Sequence, residues 1–158
     1  MTKTLVLGVG NPVLSDDRVG LYIAERLDAD PPAAADGGEV AVDIATRGGL
    51  EFAEKLAGYD RAFVVDSIKT VGGRPGDIYE LTMDNLQSTT HLLTMHGVGF
   101  RDAVEFGRAV GMQMPEDIRI WAIEVDDNLT LSEEMHPEVQ QAGEEVERRI
   151  RALLDARE

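Results

Sequence analysis

The sequence contains no cysteine. Disulfide frameworks, thiolate metal sites and thiol nucleophiles are therefore excluded together, and this usage suits a reducing, cytoplasmic setting. Long apolar runs are missing too, none approaching the roughly 20 residues that a membrane-spanning helix needs. The opening Met1-Thr2-Lys3-Thr4, followed by Leu5-Val6-Leu7, is interrupted by Gly8 too soon to read as a signal peptide. Bases are scarce, 15 against 30 acids, leaving a formal charge of −15. Such a field repels phosphate backbones and anionic membrane surfaces, so neither nucleic acid nor a membrane is an expected partner. Part of the excess reads as a solvated face, as in Glu133-Glu134 and Glu144-Glu145-Val146-Glu147.

What is present is the composition of a globular protein, with 43% hydrophobic and 28% charged residues. At 158 residues, one domain spanning 1–158 is expected. Leu5-Val6-Leu7 reads as a buried strand entering a glycine turn, and an apolar face at Val19, Leu21, Ile23, Ala24 and Leu27 reads as a helix from Asp16 onward. Further strands are predicted at Glu39–Ile44, Arg61–Asp66, Asp77–Leu81 and Asp117–Glu124, and further helices at Leu50–Leu56, Val98–Val110 and Pro137–Ala156. This alternation predicts an α/β fold: three layers, with a twisted, mostly parallel sheet of about five strands covered by helices on both faces.

Open sheets of this kind bind ligands in the crevice beyond the carboxyl ends of their strands. Asn11, Asp16 and Asp17 follow the first strand, Asp66 ends the third, and His96 precedes a helix. Two carboxylates and an imidazole converging there suit a borderline divalent metal such as nickel or zinc, with positions left open for substrate or water. Bland readings stand beside this one. Asp16 is placed to cap the helix it precedes, Asp17 sits favourably in a first helical turn, and Asp66 could brace a turn through its own backbone. His91 and His136 read as structural, His136 as a helix-entry residue before Pro137. Other chemistries fail on specific positions. The dinucleotide fingerprint needs glycine where Val13 stands, and Gly-Lys-Ser/Thr, Gly-x-Ser-x-Gly and His-Glu-x-x-His are all absent.

Gly8, Gly10 and Asn11, then Asp16, Asp17 and Gly20, form a G-x-G-N turn followed by D-[DE]-x-x-G. Phe63-Val64-Val65-Asp66, Pro75-Gly76 before Ile78-Tyr79, and His96-Gly97-Val98-Gly99-Phe100 follow in order, then Ile120 to Glu124 and Leu131-Ser132 before a closing helix. In this combination the chain resembles the hydrogenase maturation endopeptidases along nearly its whole length. The resemblance implies a protease that removes a C-terminal extension from the nickel-loaded precursor of a [NiFe] hydrogenase large subunit. It implies metal contacts at Asp17, Asp66 and His96, with nickel supplied by the precursor and zinc or cadmium as surrogate ions. Asp16 is a candidate general base in the same picture, and whether nickel polarises the scissile carbonyl or serves only for recognition stays open. So does the register between His91 and His96, with Gly97 to Phe100 favouring His96. Two positions depart from the family pattern. Arg18 replaces a common glycine, and Asp43-Ile44-Ala45-Thr46-Arg47-Gly48-Gly49 replaces the usual Asp-Gly-Gly-Thr.

Two alternatives remain. A chaperone could bind the same precursor without cutting it. Peptidyl-tRNA hydrolases also open with Gly-x-Gly-Asn-Pro, matched by Gly8 to Pro12, but a tRNA partner calls for a basic face.

Overall fold

In the computed structural model, which describes residues 1–88, 99–126, 131 and 134–156, the apolar runs of the sequence form the centre of one five-stranded sheet. The strands are β1 (Lys3–Val9), β2 (Glu39–Ala45), β3 (Arg61–Ile68), β4 (Ile78–Leu81) and β5 (Asp117–Glu124). Their spatial order is β2-β1-β3-β5-β4, parallel except for β4, which runs antiparallel along β5. The helices are α1 (Val19–Ala29), α2 (Glu51–Leu56), α3 (Phe100–Ala109) and α4 (Pro137–Asp155).

Side chains alternate across a strand, so each central strand feeds two cores. Leu5, Leu7 and Val9 of β1 with Ala62 and Val64 of β3 meet Phe52 and Leu56 of α2 and Phe100 and Val104 of α3. Val6, Phe63, Val65, Trp121 and Ile123 face the opposite way, against Val19, Ile23 and Leu27 of α1 and Val139, Val146 and Ile150 of α4. An aromatic edge-to-face pair stiffens each layer: Phe52–Phe100 at 5.2 Å and Phe63–Trp121 at 5.5 Å between centroids. The predicted three-layer α/β architecture is the one observed. None of the described helices is long and apolar enough to cross a membrane.

Several boundaries differ from expectation. The segment predicted to be helical from Asp16 begins as a 3-10 turn, Asp16–Arg18, before α1 proper. β3 does not stop at Asp66, because Ser67 and Ile68 continue the ladder with Ile123 and Glu124 of β5. The irregular stretch expected from Gln87 opens with a 3-10 turn at Met83–Ser88, and residues 89–98 lie outside the described ones.

The topology locates a crevice. β1 pairs with β2 on one side and β3 on the other, with α1 and α2 on opposite faces, so the winding of the sheet reverses between β1 and β3. The β1–β3 ladder ends at Gly8 and Val65, one residue before Asp66. An opening of this kind at a topological switch point is where open α/β sheets place their ligands.

Candidate functional site

The loop leaving β1 is held by close backbone packing. A Cβ on Gly8 would fall on the Gly20 carbonyl oxygen, one on Gly20 on the carbonyl oxygens of Val9 and Val65, and one on Gly10 on that of Asp17. None of the three has a positive φ, so what they supply is space and not an unusual turn. The first turn of α1 can therefore sit directly on β1 and β3, which carries Asp17 to the end of the switch crevice.

Asp16, Asp17 and Asp66 are fully buried there. Ser67 links two of them. Its hydroxyl donates to Asp17 Oδ1 at 2.7 Å, and its backbone N–H donates to Asp66 Oδ1 at 2.7 Å. Asp66 and Ser67 are consecutive strand residues and point to opposite faces, so one residue of β3 addresses both carboxylates.

Asp16 behaves differently. As a cap it was expected to serve its own helix, but its carboxylate is directed elsewhere. Oδ1 accepts from the backbone N–H of His136 at 2.8 Å, and Oδ2 lies 2.7 Å from His136 Nδ1, which donates when it faces an ionised carboxylate. His136 is the N-cap residue of α4, with Pro137 following, so its reading as a helix-entry residue is borne out. Its contact with Asp16 gave no signal in the sequence, because the two residues are 120 positions apart.

The loop after β3 is fixed by a residue that sequence reasoning passed over. Glu124, 1% exposed at the end of β5, accepts from the Thr70 backbone N–H at 2.8 Å, from the Thr70 hydroxyl, and from the Tyr79 hydroxyl at 3.1 Å. The Thr70 contact weighs most on Tyr79 and lowers its pKa; burial and the Glu124 carboxylate together outweigh it, so the phenol lies above its ordinary value. A Cβ on Gly73 would collide with the Glu124 carboxylate, which accounts for glycine in that turn.

The atypical loop after β2 has a local solution. Gly48 and Gly49 adopt φ of 72° and 61°, and Glu51 Oε1 accepts from the backbone N–H groups of Arg47 and Gly48 at 3.0 and 3.2 Å. The Gly10 N–H donates to the Ala45 carbonyl at 3.2 Å, which joins this loop to the one bearing Asp17. Arg18, the other departure, lines two cavities. One is about 400 Å3, between α1 and β2, and the other about 350 Å3, beside Tyr22, Glu134 and Met135. A further cavity of about 630 Å3, walled by Trp121, Arg119 and Arg149, sits towards the amino end of β5, away from these acids.

Ser67 thus contacts both Asp17 and Asp66, through its hydroxyl and its backbone N–H respectively. His91 and His96 lie outside the described residues. Among the described residues no group of three or more His, Asp or Glu side chains is gathered as a metal site. What is present is two buried carboxylates that both accept a hydrogen bond from Ser67.

The family model described as hydrogenase maturation protease matches residues 32–153, a span that includes Asp66 and begins beyond the Gly8–Gly20 loop. The hydrogenase 2 maturation protease of Escherichia coli (strain K12) is 28% identical over 115 residues, 69% of this chain. The chain covers 65% of that curated relative's length. Among solved structures, the hydrogenase maturating endopeptidase HybD from E. coli superposes with a TM-score of 0.77 at 25% identity, covering 96% of this chain and 91% of that one. The [NiFe] hydrogenase maturation protease HycI from Thermococcus kodakarensis KOD1 superposes with a TM-score of 0.72 at 23% identity, over 98% and 94% of the two chains, a likeness of fold.

Proposed function

Since the chain belongs to the hydrogenase maturation protease family, we propose that it is an endopeptidase that removes a C-terminal extension from the nickel-loaded precursor of a [NiFe] hydrogenase large subunit. The observation that carries this reading is the pair of buried carboxylates, Asp17 and Asp66, bridged by Ser67 at the switch crevice. Nickel is part of the substrate in this scheme. The precursor presents the ion, and Asp17, Asp66 and His96 complete its ligand set. Carboxylate and imidazole donors suit nickel, and zinc or cadmium would stand in for it.

Ion pairing of this kind docks the precursor with its scissile peptide beside the crevice. A metal-bound carbonyl is polarised and a metal-bound water is acidified, the two contributions such an ion makes to hydrolysis. The protein's own share is to fix both carboxylates before substrate arrives, so that little reorganisation is needed on binding. The absence of cysteine leaves no thiol route.

The test is the mass of a purified nickel-loaded precursor before and after incubation. Loss of a C-terminal fragment with the wild type, and none with His96→Ala, is the expected result. Binding without any change of mass would favour the chaperone reading, and undiminished cleavage by His96→Ala would remove that residue from the site.

A further inference from the structure

We propose that Asp16 is a positioning residue and not the base: it clasps the amino end of α4 and so sets the turn that carries Asp17. The inference rests on the protease reading above and names a further residue on which that reaction depends.

Three contacts join the segment 14–16 to the segment 131–136. Leu14 forms an antiparallel bridge with Leu131, the Ser15 hydroxyl donates to the Glu134 carbonyl at 2.9 Å, and Asp16 takes both the backbone N–H and the ring Nδ1–H of His136. Both Asp16 oxygens are thereby committed, although the side chain is fully buried. A base must accept a proton from water or substrate, and a proton on the carboxylate would weaken the bonds it accepts from His136. The carboxylate also lies at the amino end of a 19-residue helix, where the helix dipole favours negative charge.

The clasp is not what holds α4 to the protein. Val139, Ala142, Val146 and Ile150 bury against the α1 layer, Gly143 lies against Ile23 and Val19, and Arg26 pairs with Glu147 at 2.5 Å. Its effect is local. Asp16 and Asp17 are successive residues of one 3-10 turn, so the bonds to His136 orient the turn that aims Asp17 at Ser67. The cavity of about 350 Å3 lined by Arg18, Glu134 and Met135 lies along the same junction, so its shape follows from the clasp.

The test compares Asp16→Asn with Asp16→Ala in the full chain. Asparagine keeps an oxygen for the His136 amide and an NH2 group for a neutral ring nitrogen, but it cannot act as a base. Cleavage of nickel-loaded precursor is measured for kcat and KM separately, with amide hydrogen exchange at residues 14–17 and 136 on the same proteins. Asp16→Asn is expected to keep kcat within about fivefold, and Asp16→Ala to lose roughly 10–100-fold in kcat, the scale of a displaced catalytic group. Exchange should quicken locally in Asp16→Ala while the rest of the sheet stays protected. Equal inactivity of both variants would make Asp16 the base and overturn the proposal, as would wild-type kcat in Asp16→Ala. Should the wild type cleave nothing, the protease reading fails by itself. The exchange arm then decides the clasp, and unchanged protection at His136 in Asp16→Ala would end it.

Discussion

At the carboxyl ends of the strands, Asp16, Asp17, Asp66 and Glu124 are each no more than 1% exposed and take hydrogen bonds from amides, hydroxyls and an imidazole. Along α4, Glu144, Glu145 and Glu147 meet arginines instead: Arg26 at 4.0 and 2.5 Å, and Arg148, Arg149 and Arg151 at 2.8–3.3 Å. Each of these acids carries the same formal charge, and the two groups differ in how it is answered. An acid paired with arginine is largely neutralised on its own surface and contributes modestly to stability. An acid held by neutral donors has its geometry fixed without a counter-charge beside it, the preorganisation that the proposed recognition of an incoming cation calls for. Within the crevice, Asp16 accepts from the His136 amide and lies against its ring, while Asp17 and Asp66 both accept from Ser67.

The largest expected effect comes from removing a crevice acid. Asp17→Ala should lower cleavage of nickel-loaded precursor on the order of 100-fold or more with the fold intact, as read by single-turnover kinetics beside circular dichroism. Ser67→Ala should cost less, roughly 10–100-fold in activity, as is usual for a residue that orients a metal-binding group. A comparable loss from Glu145→Ala on α4 would erase the distinction between the two regions. Gly20→Val tests the packing beneath the site. Its side chain must displace the carbonyls of Val9 and Val65, and urea unfolding should show a loss of about 1–3 kcal/mol, the usual cost of overpacking.

The smallest effect belongs to the α4 pairs and appears as pH dependence. Burial pushes the Glu147 carboxyl up, but hydrogen bonds from Arg26 and Arg151 pull harder, so its pKa lies below the ordinary 4.5. A depressed carboxyl stabilises the fold fully above its unfolded value and loses that contribution as pH falls through the folded value. Melting curves taken downward from pH 5 should therefore show a loss that is smaller in Glu147→Gln, whose deficit against the wild type is largest near neutral pH.

Much of the architecture was legible because the apolar periodicities were strong. The run Phe63-Val64-Val65 could only be a buried strand, and Val139, Val146 and Ile150 fall on one helical face. The end of β3 was misjudged because a charge after an apolar run looks like a terminus, whereas pairing with β5 carries the ladder on through Ser67 and Ile68. Asp66, read as the last residue of its strand, lies two residues inside it, and Asp17, read as following β1, stands in the 3-10 turn before α1. The clasp to His136 was not legible, since nothing local marks a bond across 120 positions. The glycines of the opening loop suggested a turn, and only the packing of Gly20 on two neighbouring carbonyls gives their function. Glu124 looked like the last residue of a strand, and its burial depends on Thr70 and Tyr79 from two other segments.

The most direct measurement is the affinity of the protein for one precursor in its nickel-loaded and nickel-free forms, for the wild type and for Asp17→Ala and Asp66→Ala. If the two crevice acids recognise the ion, the wild type binds the loaded form at least about tenfold more tightly, or ~1.4 kcal/mol, and either substitution brings the two affinities together. Retention of the full preference for nickel in both variants would contradict the assignment of Asp17 and Asp66.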